Sequence, residues 1–185
     1  MAEAFTNKLV RAAGIVSTTD STAAIGANAT AITNIQTANL HVGDLVVNQN
    51  FRAGAKIRTI TNSTSVVVDR ESTNTSATTS QIVKFLGVTT AFTSSGTEKS
   101  ILIGGTFANL TENDINVSVE IFDNSSAGTA NSTSLLASDI PIPSGSSFVI
   151  SEAGKTVLEA NDQVKIYCDT ANAVDVTLAI LSGVS

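Results

Sequence analysis

The sequence predicts an all-β protein: a β-sandwich or jelly-roll-like C-terminal domain, a small β-rich lobe ahead of it, and an N-terminal arm. Three observations lead there. Hydrophobic residues make up 42% of the 185 residues and charged residues only 14%, well under the roughly 25% of an ordinary soluble domain, so Ser, Thr and Asn must supply the polar surface. Thr, together with abundant Val and Ile, favours pleated, half-buried strands over helices. The third is strict alternation. Ile115, Val117, Val119 and Ile121 point one way while Asn116, Ser118 and Glu120 point to water, the period-2 signature of a one-sided strand.

Taken in order, residues 1–16 stand apart. Phe5, Leu9 and Ala12 fall at i, i+4 and i+7, which fits one face of a short helix. A helix of about a dozen residues is marginal in water unless it docks, so this segment reads as an arm ordered by contact, with Phe5, Leu9 and Val10 as candidate assembly contacts. Residues 17–86 form the β-rich lobe, with strands expected at Ile25 to Ile35, Asp44 to Val47, Ala55 to Thr61, Ser65 to Asp69 and Gln81 to Phe85, separated by Gly- and Asn-containing turns. Glu71 to Ser80 reads as an exposed hydroxyl-rich loop.

Residues 87–185 carry the sandwich. Strands are expected at Ile101 to Ala108, Ile115 to Ile121, Leu135 to Ile140 and Phe148 to Ile150, then along Val164, Ile166 and Cys168 and along Val174 to Ile180. Turn signals at Pro143-Ser144-Gly145 and Glu159-Ala160-Asn161-Asp162 punctuate them. An echo between Gly14-Ile15-Val16-Ser17-Thr18-Thr19 and Gly87-Val88-Thr89-Thr90 brackets the lobe. Two arrangements fit it: a lobe inserted between an arm and a sandwich that belong together, or two successive domains.

Composition excludes several functions. The net charge is −6 with no Lys/Arg cluster, so the basic stripe of a nucleic-acid binder is missing. No apolar stretch approaches the roughly 20 residues of a membrane helix, and Glu3, Asn7, Lys8 and Arg11 interrupt any signal-peptide core. The expectation is a chain made in a cytosol, without membrane contact. A single cysteine, Cys168, rules out an intrachain disulfide; its register with Val164 and Ile166 makes it a small core hydrophobe. The seven Asn-x-Ser/Thr triplets, from Asn28 to Asn131, follow from an Asn-, Ser- and Thr-rich composition.

No catalytic, cofactor-binding or metal-binding constellation is expected. Ala153-Gly154-Lys155-Thr156 ends like a phosphate-binding loop, but Val149 stands where that motif needs its first Gly, and a hairpin turn is the better reading. His41 is the only histidine and stands before a Val-Gly-Asp turn, with no nucleophile or ligand set beside it in the sequence. The carboxylates Asp114, Asp139, Glu152, Asp162, Asp169 and their neighbours lie mostly in turns, where they cap local backbone groups.

Against this background the chain resembles small virion proteins of tailed bacteriophages, especially cyanophages. The likeness rests on the opening Met1-Ala2-Glu3-Ala4-Phe5-Thr6-Asn7-Lys8-Leu9-Val10-Arg11, on Ile101-Leu102-Ile103-Gly104 with Phe107-Ala108-Asn109, and on Ile140-Pro141-Ile142-Pro143. It continues through Val157-Leu158-Glu159-Ala160-Asn161-Asp162. The lobe, with Leu40-His41-Val42-Gly43-Asp44, is similar to β modules of phage fibre and surface proteins. The resemblance implies a non-enzymatic virion structural protein without cofactors. It would be a capsid decoration or cement protein bound to the major capsid protein as a homo-oligomer, a trimer being the expected form, or alternatively a neck or tail-fibre component touching other virion proteins or the host surface.

Overall fold

The computed structural model describes residues 3–124, 132–151 and 155–184. Every regular element among them is a β-strand: β1 (Ala4–Ala13), β2 (Ile15–Ile25), β3 (Ala31–Thr33), β4 (Leu45–Val47), β5 (Ile57–Asn62), β6 (Ser65–Val68), β7 (Thr78–Gly87), β8 (Thr89–Thr93), β9 (Lys99–Asn109), β10 (Ile115–Asp123), β11 (Ser132–Ile142), β12 (Ser147–Ile150), β13 (Thr156–Leu158), β14 (Gln163–Cys168) and β15 (Val174–Val184). The all-β class is therefore as the composition implies. The chain divides into two compact units, one running through Gly14 and resuming at Thr89, the other spanning Ile15–Val88.

The first unit is a sandwich. One sheet has the order β1-β15-β9-β12, with β13 also on β9, and the other has the order β11-β10-β14-β8. Their inner faces share one core, in which Phe107, Val176, Leu178 and Ile180 of the first sheet join Val117, Val119, Val164, Ile166 and Cys168 of the second. Phe107 stacks at a tilt on Phe148, with ring centroids 5.9 Å apart. Most successive strands switch sheets, which is why the chain needs so many tight, Asx-capped turns. Asn109 holds one such turn: its amide donates to Asn113 and Ile142 carbonyls at 2.7 and 2.9 Å, and its oxygen accepts from Thr111 N and Oγ1. Asp162 holds another, accepting from Asn124 N and Glu159 N at 3.0 and 2.9 Å.

The second unit is a six-stranded antiparallel sheet of order β4-β7-β2-β3-β6-β5. Its two ends meet. Gly43 N donates to Ile57 O at 2.9 Å, Ile57 N to Asp44 O at 3.0 Å, and Val46 N to Ala55 O at 2.8 Å, closing the sheet into a small barrel around Ile25, Ile32, Ile57, Val66, Val83 and Phe85. The closure is local, around Leu45 and Lys56, and it shortens the exposed sheet edges that all-β folds must manage.

Several expectations need correcting. The arm is no helix: residues 4–13 pair antiparallel with β15, from Ala4 opposite Ser182 to Val10 opposite Val176. Phe5 and Leu9 share a face at period 2 as well as at i, i+4, and the hydrogen bonds and apolar edge that β15 offers outweigh a weak helical pattern. The expected strand from Ile25 to Ile35 is cut by a turn in which Asn28 takes φ +47°, and β7 already begins within the expected Glu71 to Ser80 loop. Ser118 and Glu120 do not face water; both are buried, Glu120 to 1% exposure. The turn read across residues 153–156 lies partly outside the described residues, as do the acidic Glu152 and the triplet at Asn131.

Candidate functional site

The residues that sequence reading flagged for chemistry do not converge. His41 is exposed, and its role is local: its amide donates to Asp44 Oδ2 at 3.0 Å, and Asp44 N returns a bond to His41 O at 3.1 Å. Cys168 is buried in the sandwich core, where a thiol is a small hydrophobe rather than an exposed thiolate. Several of the carboxylates serve as acceptors for backbone amides. Asp169 caps Asn116 N at 2.9 Å and Asp175 caps Ala12 N at 2.8 Å. Asp20 takes three bonds, from Thr22 N, Thr22 Oγ1 and Gln36 N. Burial alone would push its carboxyl up, but these bonds outweigh burial and hold it below its ordinary value. Among the described residues no group of three His, Cys, Asp or Glu is gathered as a metal would need.

Two open clefts lie on the barrel unit. One, of about 420 Å³, is lined by Asn48, Gln49, Ser80, Gln81 and Ile82, yet its amides bond one another, with Gln49 and Asn50 both donating to Gln81 Oε1. The other, of about 460 Å³, includes Arg52 and Arg70. The Arg70 guanidinium is already engaged with both Asp69 oxygens, each at 3.1 Å, and with Ala53 O.

The second sheet of the sandwich has a polar group on the side away from the core. Tyr167 and Glu120 are both buried there, with the phenol 3.5 Å from Glu120 Oε1. Lys165, directly opposite Glu120 in the β10–β14 register, sets its ammonium 3.4 Å from the Phe122 ring centroid, a cation–π contact.

The exposed feature that stands out is the outer face of the first sheet. Because Val176, Leu178 and Ile180 point into the core, the alternate positions of β15 point out, and directly opposed residues share a face. Phe5 of β1 therefore lies beside Leu181 of β15, Leu181 beside Ile101 of β9, and Ile101 beside Val157 of β13, an unbroken apolar row across four strands. A second row runs from Leu9 through Thr177 and Thr106 to Val149. Phe5, Leu9, Val149 and Val157 are 64%, 70%, 55% and 52% exposed. The rows hold no charged residue.

Of the three candidate contacts in the arm, the structure separates two from the third. Phe5 and Leu9 lie on this outer face, whereas Val10 turns inward and packs against the sandwich core. Leu181, Ile101, Val149 and Val157 escaped the sequence reading. Their signal was present as runs that are apolar at both parities, Ile101-Leu102-Ile103, Ala179-Ile180-Leu181, Val149-Ile150 and Val157-Leu158, the pattern of strands covered on both faces. No family model, no curated protein and no solved structure matches this chain.

Proposed function

We propose that this chain is a non-enzymatic structural protein that acts by assembly, and that its setting is the one its sequence resembles: the outer surface of a tailed-phage head, decorated by repeated copies bound to the major capsid protein. The observation that carries the assembly reading is the apolar outer face of the first sheet. The largest apolar patch on a soluble protein, typically about 300–600 Å², is often a functional surface, and each large side chain left in water forgoes about 1.5–3 kcal/mol of burial. The low charge and hydroxyl-rich surface fit a protein whose contacts are packing contacts, and the many amide-capping carboxylates are committed to holding turns.

The test is reconstitution. Heads lacking the protein are mixed with the purified chain, sedimented and imaged by cryo-EM. Saturable binding at a fixed, symmetric set of positions is the expected result. Failure to co-sediment with heads, combined with binding to neck or tail assemblies, would move the protein to the alternative location, and failure to bind any virion part would remove the phage setting.

A further inference from the structure

Deepening that assembly reading, we infer that the partner of the apolar outer face is a second copy of the same chain, packed sheet against sheet about a two-fold axis. The first argument is that β9, β13 and β15 are apolar at both parities where the row Phe5, Leu181, Ile101, Val157 crosses them. Inner positions fill the core, and outer ones await a cover of the same kind. Another sheet covers such a face well, about 10 Å away, with interdigitated side chains. A second copy brings such a face.

Charge selects the same occupant. The chain carries 16 acidic against 10 basic residues, so two copies repel at most relative orientations. The outer face is where they can meet without opposing like charges. Its rows are uncharged, and the charges around them are of both signs: Arg11 and Asp175 follow the Leu9 row, Glu3 precedes Phe5, Lys155 precedes Val157, and Lys99 pairs with Glu159 at 3.0 Å beyond the Phe5 row.

Size agrees. Four strands spaced about 4.8 Å apart and the two rows with their margins give a planar footprint of about 400 Å², enough for the apolar centre of an interface burying about 800 Å² per partner, with a polar rim supplying the rest. One face meeting itself is isologous and generates a two-fold contact. Pairing through the free edge of β1 is the competing geometry for two copies, but β1 protects that edge with a charged Lys8 at an inward-facing position and an irregularity between Val10 and Ala13, both recognised defences against edge pairing.

Sedimentation equilibrium of the full chain tests this. Wild type should show a concentration-dependent monomer–dimer equilibrium. Val157→Lys, at an exposed position at the end of the row on β13, and Leu181→Lys, on the interior strand β15, should each weaken it at least about tenfold by setting a charge against the facing apolar row. Ile82→Lys, an equally exposed apolar site on the barrel unit, should leave it unchanged. Circular dichroism checks that each variant is folded, and Val157→Lys decides the matter if Leu181→Lys is not. A wild type that stays monomeric to about 100 μM, a weak limit on the affinity scale, overturns the inference, as does a dimer indifferent to Val157→Lys. A monomer that still decorates heads would end the two-fold inference and leave the assembly reading standing; a dimer that binds no virion part would support the two-fold inference and remove the phage setting.

Discussion

Replacing Gly14 by Ala should be among the most damaging single-methyl changes in the sandwich unit. Gly14 ends β1 at φ +120°, a conformation that costs a residue with a Cβ about 1–3 kcal/mol. The added methyl would also sit 2.4 Å from Thr170 O and 3.1 Å from Cys168 Cβ, so the backbone after β14 would have to retreat. That retreat strains two bonds that tie it to the strand end, Asn172 N to Gly14 O at 3.0 Å and Ala173 N to Ala13 O at 2.9 Å, each worth about 1 kcal/mol. The sum is a loss of about 3–5 kcal/mol. Gly145→Ala in the same unit is the control: φ is +67° and no atom lies within 4 Å of the new methyl, so it should cost only about 1–2 kcal/mol. The chain has one Tyr and no Trp, and Tyr167 is buried in the sandwich unit, so tyrosine fluorescence during urea unfolding reports that unit selectively. If Gly14→Ala shifts the midpoint no more than Gly145→Ala, the close approach at Thr170 is not what fixes the end of β1.

Other outcomes follow from the same geometry. Cys168→Ser should destabilise the sandwich by about 1–3 kcal/mol by placing a hydroxyl in an apolar core, and Cys168→Ala by less; rapid labelling of the native thiol by a bulky reagent would contradict its burial. Asp20→Asn should loosen the turn at residues 34–36 of the barrel and speed amide exchange at Thr22 and Gln36. Because the folded carboxyl titrates below its ordinary value, its stabilising effect is complete above about pH 4, the unfolded value, and is lost as pH falls through the folded one. The difference between wild type and Asp20→Asn should therefore shrink in acid, and a difference that grows there would refute the assignment. Deleting residues 3–12 should lower the melting temperature of the sandwich unit, since it strips β15 of one of its two neighbours and uncovers core beside Val10. An unchanged melt would mean that β1 is a dispensable tail.

The strands with one apolar parity were legible from residues alone. Alternation at Val117, Val119 and Ile121, and again at Val164, Ile166 and Cys168, told which side chains enter the core, because a strand's period of two admits one answer once a buried face exists. Turns at Pro143-Ser144-Gly145 and Glu159 to Asp162 were equally plain, since Gly and Asn at positive φ and Asp as amide acceptor leave a local mark. Composition by itself determined the all-β class and the scarcity of charge.

What tertiary structure decided was everything that depends on who lies beside whom. Phe5, Leu9 and Ala12 fit a helix as a string and become an edge strand only because β15 presents an open edge. Glu120 alternates like a water-facing residue and is nonetheless buried, because alternation assigns a side of the sheet and not what covers that side. The barrel closes through bonds from Gly43, Val46 and Ile57 to backbone carbonyls, which leave no trace in side-chain pattern. The apolar row from Phe5 to Val157 joins residues about 150 positions apart, and only cross-strand register, a long-range property, brings four separate, unremarkable apolar positions into one face.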